Sequence, residues 1–137
     1  MSHDTRFVSG LLFLSLVTVE TGGEFMLRIL RGHLPQFADP RRSAFFRAGH
    51  AHAGVLLVVA LVGQIYADQA ALNDAVRWLC RGCLFAAPLL VPGGFFAVGL
   101  TLKDGKPGRG VALIYTGAVV LAAGLTLLGI GLLRAAG

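Results

Sequence analysis

The chain has 137 residues, of which 55% are hydrophobic and 14% charged, and its mean hydropathy is +0.74. Soluble domains average about 25% charged residues, and a soluble core of this size cannot hide so much apolar surface, so a bilayer is the fitting solvent. The net charge of +5 comes from basic residues that flank apolar runs and do not cluster with stacking aromatics, which reads as membrane flanking and excludes a nucleic-acid surface.

A spanning helix needs about 20 mostly apolar residues. Four segments qualify, at about 7–30, 44–66, 76–102 and 111–133. The fold class is therefore all-α, a single integral membrane four-helix bundle. The first run begins behind a single Arg6 and continues past any short leader core into "VETGGEF", with no small-residue cleavage pattern. It reads as a retained transmembrane helix. It carries Glu20 and Glu24, spaced i,i+4 on one face, with Arg28 one turn further and in reach of Glu24.

The linker "RGHLPQFADPRRS" leads into a second run that opens "FFRAGHAHAG" and takes Arg47, His50 and His52 toward the membrane. Arg47 reads as snorkelling to phosphates. His50 lies on the Arg47 face, and His52 is about 200° further round an ideal helix. After "ADQAALND", where Asp74 is a candidate N-cap, the third run starts with the amphipathic "VRWLCRGC" at the interface. Its Pro92 removes a helical hydrogen bond and frees the Pro88 carbonyl, which predicts a break of the kind tolerated where it lines a cavity. The fourth run, after "KDGKPGRG", has glycines at 110, 117, 124 and 131. A seven-residue period of small residues gives one close-packing face, with a homo-oligomer contact through Gly117, Gly124 and Gly131 as a second use.

Lys and Arg counts set the orientation. The first and third loops with their helix ends hold Arg28, Arg31, Arg41, Arg42, Arg47, Lys103, Lys106 and Arg109, against Arg6, Arg77, Arg81 and Arg134 on the other side. The bias puts loops 31–43 and 103–110 in the cytoplasm and both termini outside a bacterial-type plasma membrane.

Ionisable groups inside a bilayer are expensive and point to function by default. Glu24 and Glu20 fall roughly 9 and 15 Å inside the end of the first helix, and His50 and His52 roughly 9 and 12 Å inside the start of the second. Pro92 and Tyr115 fall in the same slab. Three chemistries fit this set. Glu20, Glu24, His50 and His52 form a mixed N/O donor set suited to zinc or iron. His50 or His52 offers one axial ligand to a haem, since His3 and His33 lie outside the spans. Acid–base work by Glu20, His52 and Tyr115 on a lipid-soluble substrate is the third. A non-catalytic accessory subunit, whose polar residues only fix helix register, is the structural alternative. Cys80 and Cys83 in "CRGC" read as packed cysteines more than as a redox dithiol, since two ligands do not close a zinc site.

Chain length, four spans, "DPRR" at 39–42 and "GHAHAG" at 49–54 together resemble the small bacterial hydroxylaminobenzene mutases. That family carries an N-P-R element and an H-x-E-G element in these places. Here Asp39 stands at the asparagine, His50 at the histidine, His52 at the carboxylate and Ala53 at the glycine. The resemblance implies a cofactor-free mutase or isomerase acting on a small aromatic.

Overall fold

The computed structural model describes residues 1–102 and 108–137. Four helices span His3–Leu30 (α1), Pro40–Ala67 (α2), Asp74–Thr101 (α3) and Gly110–Ala136 (α4), each long and apolar enough to cross a membrane. No strand occurs among the described residues. A short 3-10 turn at Pro35–Phe37 lies between α1 and α2. α1, α2 and α3 begin two to four residues before their apolar runs, where a side chain caps each, and α4 begins one residue before its run without a side-chain cap. Lys103 and Lys106 of the third loop lie outside the described residues.

The ends follow capping chemistry. Ser2 caps α1 through its hydroxyl and the Thr5 amide. At the other end Gly32 takes φ +76, and the Gly32 and His33 amides bond to the Ile29 and Arg28 carbonyls, a Schellman ending that only glycine adopts without strain. "DPRR" starts α2: the Asp39 carboxylate accepts from the Arg41 and Arg42 amides, and Pro40 takes the first helical position. Arg42 then donates to the Leu102 carbonyl at 2.6 Å, closing the C-terminus of α3. Asn73, not Asp74, caps α3 by accepting from the Val76 amide; Asp74 instead pairs with Arg77.

Packing is uneven. α3 is the central helix, laid against α2 on one side and α4 on the other, while α1 packs chiefly on α2. Gly110, Gly117, Gly124 and Gly131 of α4 are buried, the first three against α3 and Gly131 against the linker that precedes it. A Cβ on Gly110 would come within 2.7 Å of the Gly94 carbonyl oxygen, and one on Gly117 within 2.6 Å of Val91 Cγ2. Gly124 meets Cys83 and Leu84, and Gly131 meets Ala70 and Leu72. The seam is thus filled within the chain, so the expected oligomer contact through Gly117, Gly124 and Gly131 is corrected: that face is already covered. The expected break at Pro92 is also corrected. α3 is continuous from Asp74 to Thr101 through Pro88 and Pro92, both buried, and it packs on α2 and α4.

Phe13, Leu14, Val119 and Leu133 are each at least 60% exposed. Such an apolar exterior belongs against lipid. The chain is a small multi-pass membrane protein built as a four-helix bundle.

Candidate functional site

Between α1, α2 and α3 lies a cavity of about 420 Å³. α1 contributes Thr18, Thr21, Gly22 and Phe25, α2 contributes Phe46, His50 and Ala53, and α3 contributes Pro88, Pro92, Gly93 and Phe96 among others. Its end toward the 31–39 linker is closed by aromatic packing. Phe25, Phe37 and Phe46 meet edge to face with centroids 5.3–5.6 Å apart. Phe46 is fully buried, and Gly99 makes room for it: a Cβ there would lie 2.7 Å from its ring.

His50 is the one titratable side chain among the lining residues. Its half-buried ring lies over two adjacent glycines of α1. A Cβ on Gly22 would come within 3.2 Å of His50 Nδ1, and one on Gly23 within 3.5 Å of its Cε1. The "TGG" of α1 therefore lets an imidazole reach the backbone of the neighbouring helix. The Thr18 and Thr21 hydroxyls donate to the carbonyls of Ser15 and Thr18, so they present only acceptor lone pairs to any further partner. His50 and Val19 also border a second, outer groove between α1 and α2. These two side chains thus stand between the inner cavity and the lipid-facing surface.

The other predicted site residues are dispersed. His52 is exposed on the flank of α2 away from His50; its Nδ1 donates to the Ala48 carbonyl at 2.7 Å, and its ring stacks on Phe95 at 4.9 Å. Glu20 and Glu24 are exposed on α1, and among the described residues neither forms an ion pair with Arg28, His50 or His52. Tyr115 is 70% exposed on α4. Pro92 lines the cavity. No three His, Cys, Asp or Glu side chains among the described residues are placed to hold a metal ion. Glu20 and His52, read from the sequence as members of one acid–base set, do not face each other within the chain, because α1 turns its glycines, not its glutamates, toward α2.

A second polar centre sits at the opposite end of the bundle. Arg81 of α3 is 2% exposed. Its guanidinium donates to Asp68 at 2.6 Å, Thr5 at 2.8 Å, Gln64 at 3.2 Å and Ser2 at 3.5 Å. The Ser2 amide donates to the other Asp68 oxygen at 2.7 Å, and the Gln64 amide to the Arg81 carbonyl. Burial pushes the Asp68 carboxyl up, but the bonds from Ser2, Thr5 and Arg81 outweigh it and hold the group well below the usual carboxylate range. Arg77, one turn away, donates to the Ala67 and Leu72 carbonyls and so caps α2. This network is satisfied within the chain and ties α1, α2 and α3 together. Cys80 beside it is buried and donates to the Gly124 carbonyl, which makes it a packing residue of the α3–α4 seam.

The bundle with a lateral cavity defines the class: a polytopic helical membrane protein whose chamber carries one imidazole and two threonine hydroxyls among apolar walls. No known family, curated protein or solved structure matches the chain.

Proposed function

We propose that this plasma-membrane protein, with both termini outside, admits a small aromatic molecule to the cavity between α1, α2 and α3 and exchanges a proton with it through His50. The observation that carries the reading is the donor set. A chamber of about 420 Å³, within the range of about 300–1,000 Å³ usual for small-molecule sites, has one imidazole and otherwise aliphatic, aromatic, proline and threonine walls. One imidazole and two hydroxyls make a poor zinc or iron site, since such sites take three or four strong ligands. They suit a ligand that needs apolar enclosure and a single acid–base partner. Histidine is the side chain that changes charge near neutral pH, so it both gives and takes a proton there.

Rearrangement of an arylhydroxylamine to an aminophenol has these needs. A proton goes to the departing N–O oxygen, water adds to a ring carbon, and that carbon loses its proton, so no oxidant or reductant enters. The resemblance in "DPRR" and in the matched His50 supports this substrate class. The experiment is turnover of an arylhydroxylamine by the purified protein in lipid, with metal analysis and an absorption spectrum on the same sample. His50→Gln is expected to lower turnover by about 10²–10⁴-fold, the usual weight of a general acid–base group. Tyr115→Phe is expected to leave it unchanged. Full activity in His50→Gln overturns the assignment; absent turnover with stoichiometric zinc, iron or a Soret band returns the chain to metal or haem chemistry.

A further inference from the structure

The cavity leaves Glu20 and His52 unused, although both sit deep in their spans. Their depths can be compared directly. His50 lies over Gly22 and Gly23, and the residue nearest Gly54 is Val19. In antiparallel helices that register places position 20 level with position 52. Their directions differ. Val19, Gly22 and Gly23 turn toward α2, whereas Glu20 falls on the exposed stripe with Phe13, Val17 and Glu24. His52 faces the other flank of the molecule, beside Phe95.

A carboxyl group and an imidazole facing hydrocarbon at this depth are both costly. Their chemistry is complementary. A carbonyl only accepts, so the bond to Ala48 fixes the proton of a neutral His52 on Nδ1 and leaves Nε2 as an outward acceptor. A carboxyl group and that nitrogen are complementary partners in a hydrogen bond that shares one proton. Depth supplies the second requirement. Cyclic oligomers in a membrane turn about the bilayer normal, so one copy meets the next at unchanged depth. Two groups on opposite flanks of one protomer can therefore pair between protomers only if they are level.

We propose that this protein forms a head-to-tail oligomer in which the Glu20 stripe of α1 docks on the His52–Phe95 flank of a second copy, with Glu20 hydrogen-bonded to His52 Nε2. Phe13 and Val17, 61% and 59% exposed, extend the contact along α1. The α4 glycine face takes no part, since α3 and the linker before it cover it. The contact is independent of the cavity and of what it binds.

Single-molecule subunit counting in lipid bilayers tests this. The unaltered chain is expected to be oligomeric. His52→Phe keeps the aromatic stack but removes the acceptor, and it is expected to raise the dissociation constant about tenfold, the value of one good interhelical hydrogen bond. Glu20→Leu should do the same, and Glu20→Gln, which still donates, should do less. In native membranes, oxidation of the double variant Glu20→Cys/His52→Cys is expected to give a ladder of linked copies. Either single variant, and the unaltered chain with Cys80 and Cys83, should stay monomeric on the gel. A monomeric unaltered chain overturns the proposal, as does a single variant that cross-links as well as the double one, or an oligomer indifferent to His52→Phe and Glu20→Leu.

Discussion

At the scale of single residues, the most constrained group is Arg81, a charge buried where its neighbours are lipid-facing. Its partner Asp68 is 20% exposed on its side chain and makes the ion pair that offsets the desolvation. Removing one member of such a pair leaves the other charge uncompensated, at about 3–5 kcal/mol, while replacing both with apolar groups is far less costly. Asp68→Leu is therefore expected to lower thermal stability in detergent strongly, and Arg81→Met/Asp68→Leu to recover much of the loss. The pH dependence has a definite sign. The folded carboxyl is depressed, so its contribution is complete above the unfolded value of about 3.9 and is lost as pH falls below it. The unaltered protein should lose stability on acidification below about pH 4, and the double variant should lose less over the same range. Equal acid profiles would remove Asp68 from the account. None of this is legible in "VRWLCRGC", where Arg81 looks like an interfacial charge. Its contact with Thr5 joins residues 76 positions apart, and only the packing of α1 and α3 on α2 brings them together.

At the scale of elements, periodicity was the reliable signal because it is a property of one helix. The seven-residue spacing in α4 foretells a close-packed face, and the structure fills that face with α3 and the linker before it. A Cβ added at Gly124 would lie 3.0 Å from Cys83 Cβ, whereas Leu125 is 42% exposed. Gly124→Leu is expected to destabilise the detergent-solubilised bundle by about 1–3 kcal/mol, the usual range for overpacking, and Leu125→Ala by less. Equal melting temperatures for the two variants would deny that α4 is seated through its glycines. Where the expectation needed a second helix it went astray. Pro92 signals a missing hydrogen bond, but whether α3 bends there depends on α2 and α4, which grip it on both sides. Glu20 and His52 are likewise level, as the spacing suggests, yet rotation about each helix axis separates them. The glycines at 22 and 23 decide that rotation by giving His50 its seat on α1. That signal was present as "TGG" and is interpretable only once α2 is known to lie against it.

At the scale of the whole molecule, composition alone specifies a membrane bundle, since four long apolar runs allow few other solutions. Orientation rests on a finer balance of Lys and Arg, eight on one side against four on the other. The structure changes the weight of that count. Arg81 is buried and paired with Asp68, so it is tied into the bundle instead of standing free in the flanking water. Arg77 is held by Asp74, by the Ala67 carbonyl at the end of α2 and by the Leu72 carbonyl of the following linker. Among the described residues, Arg6 and Arg134 are the arginines of the terminal side that stand outside these contacts. On the other side Arg28, Arg31, Arg41 and Arg47 are exposed around the first loop. Under the proposed orientation, with the first and third loops cytoplasmic, these exposed arginines carry the positive-inside bias. A reporter that is active only outside the cytoplasm should work when fused after Gly137 and fail when placed at Gly105, which lies outside the described residues. The rule also makes a conditional prediction. Neutralising Arg31, Arg41 and Arg47 together should shift part of the population to the inverted topology, whereas Arg81→Gln should leave the fusion pattern unchanged even where it lowers the yield of folded protein. An active reporter at Gly105 in the unaltered chain would reverse the orientation. The level relation of Glu20 and His52 would survive that reversal, because it is fixed by the contact of His50 with Gly22 and Gly23.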